Sequence, residues 1–271
     1  MKLHEYCGLC GVVGDSEALA LVAEGLHAQQ HRGQEAAGIL VRTDSGLEVH
    51  KGLGLIAQVM ASSPESWRTC GITAAMGHVR YGTVGSRSVL NAQPFLVSMS
   101  GIQTGIAHNG TITNAFKLRA ELEKQGAIFQ TNSDTEVVLH LMARNLEATG
   151  HDLRASLEMA LEVLEGAYCL LIMTPDHLYA VRDPFGFRPL NLGRISSGGW
   201  AVASETIAFP LCCAEYVREI EPGEILSLPF DGSGPSSRRF GSRAGLFGSR
   251  NRLAQCIFEH VYFARPDSMV F

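Results

Sequence analysis

Strand-like runs crowd the beginning and end of this chain, and helix-period stretches gather in its middle. That order limits the fold more than any bulk property. Alternating or β-branched runs occur at LCGVVG (9–14), AGILVR (37–42), LEVHKG (47–52), AAMGHVR (74–80) and TGIAHN (104–109). One helix pattern, ALALVAEGLHAQQ, follows the first strand, with Asp15 or Ser16 as its cap. Three more are central: FKLRAELEKQG (116–126), TEVVLHLMARNL opening at Ser133, and LRASLEMALEVLEG (153–166). The strand AYCLLIMT follows, and after Pro175 short strands return at HLYAVRD, LNLG, WAVASE, YVREIEPG and EILSLP. Hairpin-length links between the strands predict stacked, mostly antiparallel sheets covered by helices instead of a parallel βαβ fold. Neither a G-x-G-x-x-G fingerprint nor a Walker loop is present to contradict this, and there is no internal repeat.

Composition narrows the setting. The chain has 271 residues, 46% of them apolar, which suffices for one large core or two modest ones. Its formal charge of -5 lacks the basic face that nucleic-acid binding requires, so no nucleic-acid partner is expected. No apolar run approaches the roughly 18 to 20 residues that span a bilayer, and MKLHEY has no secretory h-region, so no membrane partner is expected either. The expected compartment is the cytoplasm. Seven cysteines, at 7, 10, 70, 169, 212, 213 and 256, form no spacing framework and fit a reducing environment. The sequon at Asn109 then carries no glycosylation meaning. Residues 231–250, DGSGPSSRRFGSRAGLFGSR, are Gly-, Ser- and Arg-rich without periodicity and predict a flexible linker; polyanion binding is the alternative.

Chemistry concentrates in four places. CGLCGVVGD puts two cysteines, Cys7 and Cys10, in C-G-x-x-G patterns near the start, each readable as a nucleophile or as a small buried side chain. GHVRYGTVG (77–85) offers Arg80, able to fork onto a carboxylate. HNGTITN (108–114) offers the Asn109 amide beside the Gly110 N–H, a pair suited to an oxyanion. SDTE (133–136) offers Asp134 at a helix start. Together they describe a substrate with an α-carboxylate, an α-ammonium and an acyl carbon, an amino acid such as glutamine. Structural alternatives stand beside each: an ion pair for Arg80, core histidines for His78 and His108, and a first-turn acid for Asp134.

CGLCGVVG, QHRGQEAAGI, GHVRYGTVG, NAQPF, HNGTITN, SDTE, GAYCLLIMT, RDPFGFRPLNLG, VASE, REIEPGEI and YFARPDS follow in order along nearly the whole chain. In this they resemble the glutaminase half of the amidophosphoribosyltransferases, class II glutamine amidotransferases. The glucosamine-6-phosphate synthases resemble a Y-R-G-Y version of Q-H-R-G-Q, and asparagine synthetases carry P-D where this chain has Gln34-Glu35. The resemblance implies an α+β fold, a four-layer αββα sandwich of the N-terminal-nucleophile hydrolase type. It implies Cys7 as the nucleophile, with Asn109 and Gly110 holding the oxyanion. It also implies Arg80 on the α-carboxylate, Asp134 on the α-amino group, Tyr81 in a loop closing over glutamine, and Arg32 among the substrate-binding residues as a positioning element. Spacing to QHRGQ matches the family from Cys7 and falls three residues short from Cys10.

The family's base is the α-amine of the nucleophile itself, with a pKa near 8, which a peptide nitrogen lacks. Residues 1–6 are therefore expected to be a cleaved leader, with Glu5 suiting the pattern and Tyr6 standing where an acid is common. Gln29 stands where an apolar residue is usual, and Gly82 where a bulkier residue or proline is, which predicts a looser glutamine loop. The expected division is a leader 1–6, an amidotransferase domain 7–230, the linker 231–250, and at 251–271 the start of a phosphoribosyltransferase domain that this chain lacks. By resemblance, Mg with phosphoribosyl pyrophosphate and a 4Fe-4S cluster belong to the full-length enzyme, with Cys256 aligning with the first cluster cysteine. The expected partners are glutamine, the missing domain or a partner chain, and further copies in a homo-oligomer; no cofactor is expected in this chain itself. The alternatives are a catalytically silent interaction module with its leader retained, or a stand-alone amidohydrolase for another acyl substrate.

Overall fold

The computed structural model describes residues 7–82, 88–240 and 253–269; the expected leader lies outside them. Elements are numbered in chain order. The first stretch holds β1 (Gly8–Val13), α1 (Ala18–Ala28), β2 (Ala36–Thr43), β3 (Gly46–Leu53), α2 (Ile56–Met60) and β4 (Ala74–Arg80). The middle holds β5 (Phe95–Met99), β6 (Ile102–Ile112), α3 (Ala115–Lys124), α4 (Thr135–Asn145), α5 (Leu153–Leu161), β7 (Gly166–Met173) and β8 (His177–Arg182). The last holds β9 (Asn191–Ile195), β10 (Trp200–Ala203), α6 (Ala208–Leu211), β11 (Ala214–Glu219), β12 (Glu224–Pro229) and β13 (Ser236–Arg239).

Two antiparallel sheets result, one of seven strands ordered β11-β9-β10-β1-β4-β2-β3 and one of six ordered β13-β12-β8-β7-β6-β5. Their layering follows from alternation along the strands. Leu9 and Val13 of β1, Met76 of β4, Leu40 of β2, Ala107 of β6 and Leu171 of β7 meet in a core between the sheets. The opposite faces of the first sheet, with Cys10, Val12, Ile39 and Val79, pack on Val22 and Leu26 of α1 and Phe209 of α6. The outer face of the second sheet, with Ile106, Leu170 and Val181, packs on Leu118, Val138, Met142 and Leu157 from α3, α4 and α5. Three apolar layers separating four structural ones make the αββα sandwich.

Local chemistry sets the helix starts. Asp152 accepts from the N–H groups of Arg154 (2.9 Å) and Ala155 (3.1 Å), capping α5. At α1 the cap acts one residue early: Asp15 Oδ1 accepts from the Glu17 N–H at 2.7 Å. The expected linker differs in part from the structure, because residues 236–239 form β13 and pair with β12, Leu226 opposite Ser237. All four β13 side chains are exposed, so an edge strand forms there without apolar alternation, on backbone pairing and surface contacts such as Arg238 with Glu158 at 3.5 Å. Residues 241–250 of that stretch lie outside the described residues.

Candidate active site

Alternation turns Cys7, Arg80 and Asn109 toward the slot between the sheets, whereas His108 faces the helix-covered side of β6, where its ring meets Thr135 and Asp134. Leu9 faces the inter-sheet core while Cys10 faces α1, so Cys7, two residues before Leu9, shares the inter-sheet face and is buried. Antiparallel pairing of β1 with β4 sets Gly8 opposite Val79 and Leu9 opposite His78, bringing Arg80 at the end of β4 beside the start of β1. On the second sheet, Ala107 faces the slot, and Asn109 follows on the same face.

Asn109 is fully buried, yet among the described residues neither its Nδ2 nor its Oδ1 has a hydrogen-bond partner. A buried amide left so costs about 1–3 kcal/mol, which folding alone would not retain. Gly110 has φ +138° and sits so close to β7 that a Cβ would lie 2.0 Å from the Ala167 carbonyl oxygen. Only glycine fits there.

Asp134 precedes α4 and ties it to the end of β6. Its Oδ2 accepts from the Ile112 N–H at 2.8 Å, and its Oδ1 lies 3.4 Å from His108 Nδ1. Burial pushes this carboxyl up, but the His108 ring and the N–H groups of Ile112 and Thr135 outweigh it and hold the group below the usual carboxylate range. His78 donates from Nε2 to the His108 carbonyl at 3.1 Å, and burial, with His108, Arg80 and Lys51 nearby, drives its pKa down to about 3. It is neutral at any working pH. Arg80 donates to Glu35 Oε1 at 2.8 Å in a largely shielded pair. Tyr81 is 40% exposed, and 83–87 of its expected loop lie outside the described residues.

Arg32, expected among the substrate-binding residues as a positioning element, is buried. Its guanidinium donates from Nε to the Cys7 carbonyl at 3.1 Å, to Glu205 at 2.6 Å, and to both oxygens of Glu259 at 3.0 and 3.1 Å. With its donors aimed at these acceptors, it positions the Cys7 backbone and has no face toward a substrate. Burial lowers its proton affinity, and the two carboxylates more than restore it. Glu259 also accepts from Arg188 at 2.9 Å, and Glu205 also meets His31 at 2.8 Å. Burial raises Glu205, yet His31 and Arg32 bring its pKa down to about 2.

Sequence reasoning missed Glu205, Glu259 and the pairing of Glu35. Their partners lie 173, 227 and 45 residues away, with no local signal. Gln29, noted as unusual, is explained: its side chain donates to the Leu9 and Gly25 carbonyls at 3.1 Å and accepts from the Glu205 N–H at 3.1 Å. Cys10 faces α1, away from the slot that Cys7 faces. Its sulfur lies 3.9 Å from Cys212, and that contact together with burial raises its pKa well above the ordinary thiol value. Cys256 is half-buried, its N–H donating to the Phe187 carbonyl at 3.4 Å. Among the described residues no three His, Cys, Asp or Glu side chains gather as a metal site requires, so Cys256 has no ligand set here. Among them, too, no helix is long and apolar enough to cross a membrane.

The chain matches the glutamine amidotransferase domain family over residues 80–210. It is 46% identical over 271 residues to amidophosphoribosyltransferase 2, chloroplastic, of Arabidopsis thaliana, covering 100% of this chain and 46% of that protein. It is 43% identical to the amidophosphoribosyltransferase of Bacillus subtilis, covering 99% of this chain and 53% of that protein. Among solved structures it superposes with a TM-score of 0.83 at 40% identity on glutamine phosphoribosylpyrophosphate amidotransferase from B. subtilis complexed with ADP and GMP, covering 97% of this chain and 54% of that one. The chain thus spans about half the length of these relatives. With the fold and a likeness along the whole of this chain in agreement, the chain carries a glutamine amidotransferase domain and is similar to about half of the amidophosphoribosyltransferases.

Proposed function

We propose that this chain hydrolyses glutamine at Cys7 and is the ammonia-generating part of an amidophosphoribosyltransferase. The whole reaction converts glutamine, phosphoribosyl pyrophosphate and water to 5-phosphoribosylamine, glutamate and diphosphate. The observation that carries this reading is the buried Asn109 amide, unpartnered among the described residues and facing the same inter-sheet slot as Cys7. Such a group is a donor held ready for charge that develops only during reaction.

In this reading residues 1–6 are removed, and the freed α-amine of Cys7 takes the thiol proton. Sulfur attacks the side-chain amide carbon, and Asn109 Nδ2 and the Gly110 N–H receive the oxyanion. The C–N bond breaks, ammonia leaves with the returned proton, and water cleaves the thioester to glutamate. Arg80 receives the α-carboxylate and Asp134, kept ionised, the α-ammonium. Arg32 fixes the Cys7 carbonyl. Residues 7–230 make up the glutaminase unit. In this reading phosphoribosyl pyrophosphate with its Mg, a 4Fe-4S cluster and a homo-oligomer belong to the full-length enzyme; Cys256 alone does not make a cluster site among the described residues.

Intact mass and glutamate release test this together. Loss of the mass of MKLHEY, with turnover that vanishes in Cys7→Ala, is the expected result. A retained leader without turnover would favour a silent interaction module.

A further inference from the structure

Arg80 is assigned above to the substrate α-carboxylate, yet in this structure a carboxylate of the chain itself is already on it. Glu35 Oε1 accepts from Arg80 Nη1 at 2.8 Å, with the two side chains only 17% and 12% exposed. The backbone reinforces the pairing, since the Glu35 N–H donates to the Arg80 carbonyl at 3.1 Å, and the Gly54 N–H to the Glu35 carbonyl at 2.8 Å. Glu35 is therefore held at the root of β2 with its side chain directed along the end of β4. Among the described residues it is the acid that Arg80 pairs with.

The second observation is the space that Glu35 fills. A Cβ built on Gly82 would lie 1.4 Å from Glu35 Oε2 and 2.6 Å from its carboxyl carbon. The carboxylate thus occupies the volume that any side chain at position 82 would claim. Gly82 has no positive φ, so backbone conformation does not demand glycine there. Room for Glu35 does.

We propose that Glu35 is an affinity-setting residue, an internal competitor for Arg80 admitted by Gly82, which an incoming α-carboxylate must displace. This rests on the assignment of Arg80 above. A shielded but not fully buried pair holds its partner weakly, so the competition is worth about a three- to fivefold change in affinity. The specificity consequence is that a ligand without an α-carboxylate has nothing to exchange for Glu35 and leaves the pair closed.

Calorimetric titration of L-glutamine into the Cys7→Ala chain, released from a cleavable fusion so that it begins at residue 7 and lacks the thiol needed for turnover, tests this. Adding Glu35→Gln is expected to lower Kd about three- to fivefold by weakening the pair. Adding Gly82→Ala is expected to lower it in the same direction by expelling the carboxylate sterically while leaving every charge in place. Two unlike changes acting alike would be hard to obtain from a merely structural role. Unchanged or weaker binding in both, with Arg80→Leu still weakening it, overturns the competitor while leaving the assignment of Arg80 intact. If Arg80→Leu has no effect on Kd, that assignment fails and the competitor with it.

Discussion

Asn109 shows how a single side chain can serve against the stability of its own fold. Its amide is buried without a partner among the described residues, a cost of about 1–3 kcal/mol that an apolar group of similar volume would not carry. Asn109→Leu is therefore expected to unfold at a higher urea concentration than the parent chain while glutamate release falls by about 10²- to 10³-fold, the usual loss for an oxyanion donor. A lower urea midpoint would mean that the amide is satisfied in the folded protein. At this scale the sequence was legible wherever one motif carried both chemistry and geometry, as in Asn109-Gly110, where glycine's positive φ and the neighbouring amide are read from two adjacent letters. It was not legible for Arg32, because a guanidinium's role depends on which carboxylates reach it, and Glu205 and Glu259 come from the far end of the chain.

The elements repeat that contrast. β12 spans the residues expected from EILSLP, since apolar alternation and β-branching mark a strand buried in a sheet. α2 and α6, of five and four residues, are too short for periodicity to register, and α6 includes Pro210. The edge strand β13 buries none of its side chains and so leaves no hydrophobic trace. The one-turn π-helix Glu259–Phe263 has the largest energetic reach for its size, because Glu259 is the shared acceptor of Arg32 and Arg188. Glu259→Gln puts a neutral amide where the buried Arg32 and the partly exposed Arg188 now find a carboxylate, and is expected to cost about 3 kcal/mol, read from urea unfolding. A loss within experimental error would show that Glu205 alone suffices for Arg32.

Over the whole molecule, buried titrating groups set the acid limit, and their signs differ. Glu205 titrates at about 2 in the fold against 4.5 ordinarily, so its stabilisation is complete above pH 4.5 and is lost as the pH falls toward 2. That loss totals about 3 kcal/mol. His78, at about 3 against 6.5, withdraws stability as the pH falls from 6.5 to 3, because only the unfolded chain takes up the proton. Burial raises Asp183 to about 6 from 3.8 despite N–H bonds from Phe185, Tyr168 and Phe187, so it opposes His78 and adds stability as the pH falls from 6 toward 3.8. Urea midpoints are thus expected to change little between pH 6 and 4.5 and to drop steeply below, and Glu205→Gln is expected to flatten only the lower limb. An unchanged lower limb in that variant would remove Glu205 from the account. The layered architecture was legible as a whole because strand, helix and strand blocks allow few packings, whereas the charge network that joins distant stretches was not. That network also fixes where this half can be exchanged between relatives. A crossover placed in the Gly-, Ser- and Arg-rich stretch before residue 253 would hand Arg32 a foreign carboxylate or none, whereas one placed after residue 269 carries Glu259 along with the cysteine carbonyl it indirectly steadies. In recombination terms the heritable unit is longer than the sandwich and includes the stretch 253–269, whose Glu259 holds the guanidinium that bonds the Cys7 carbonyl.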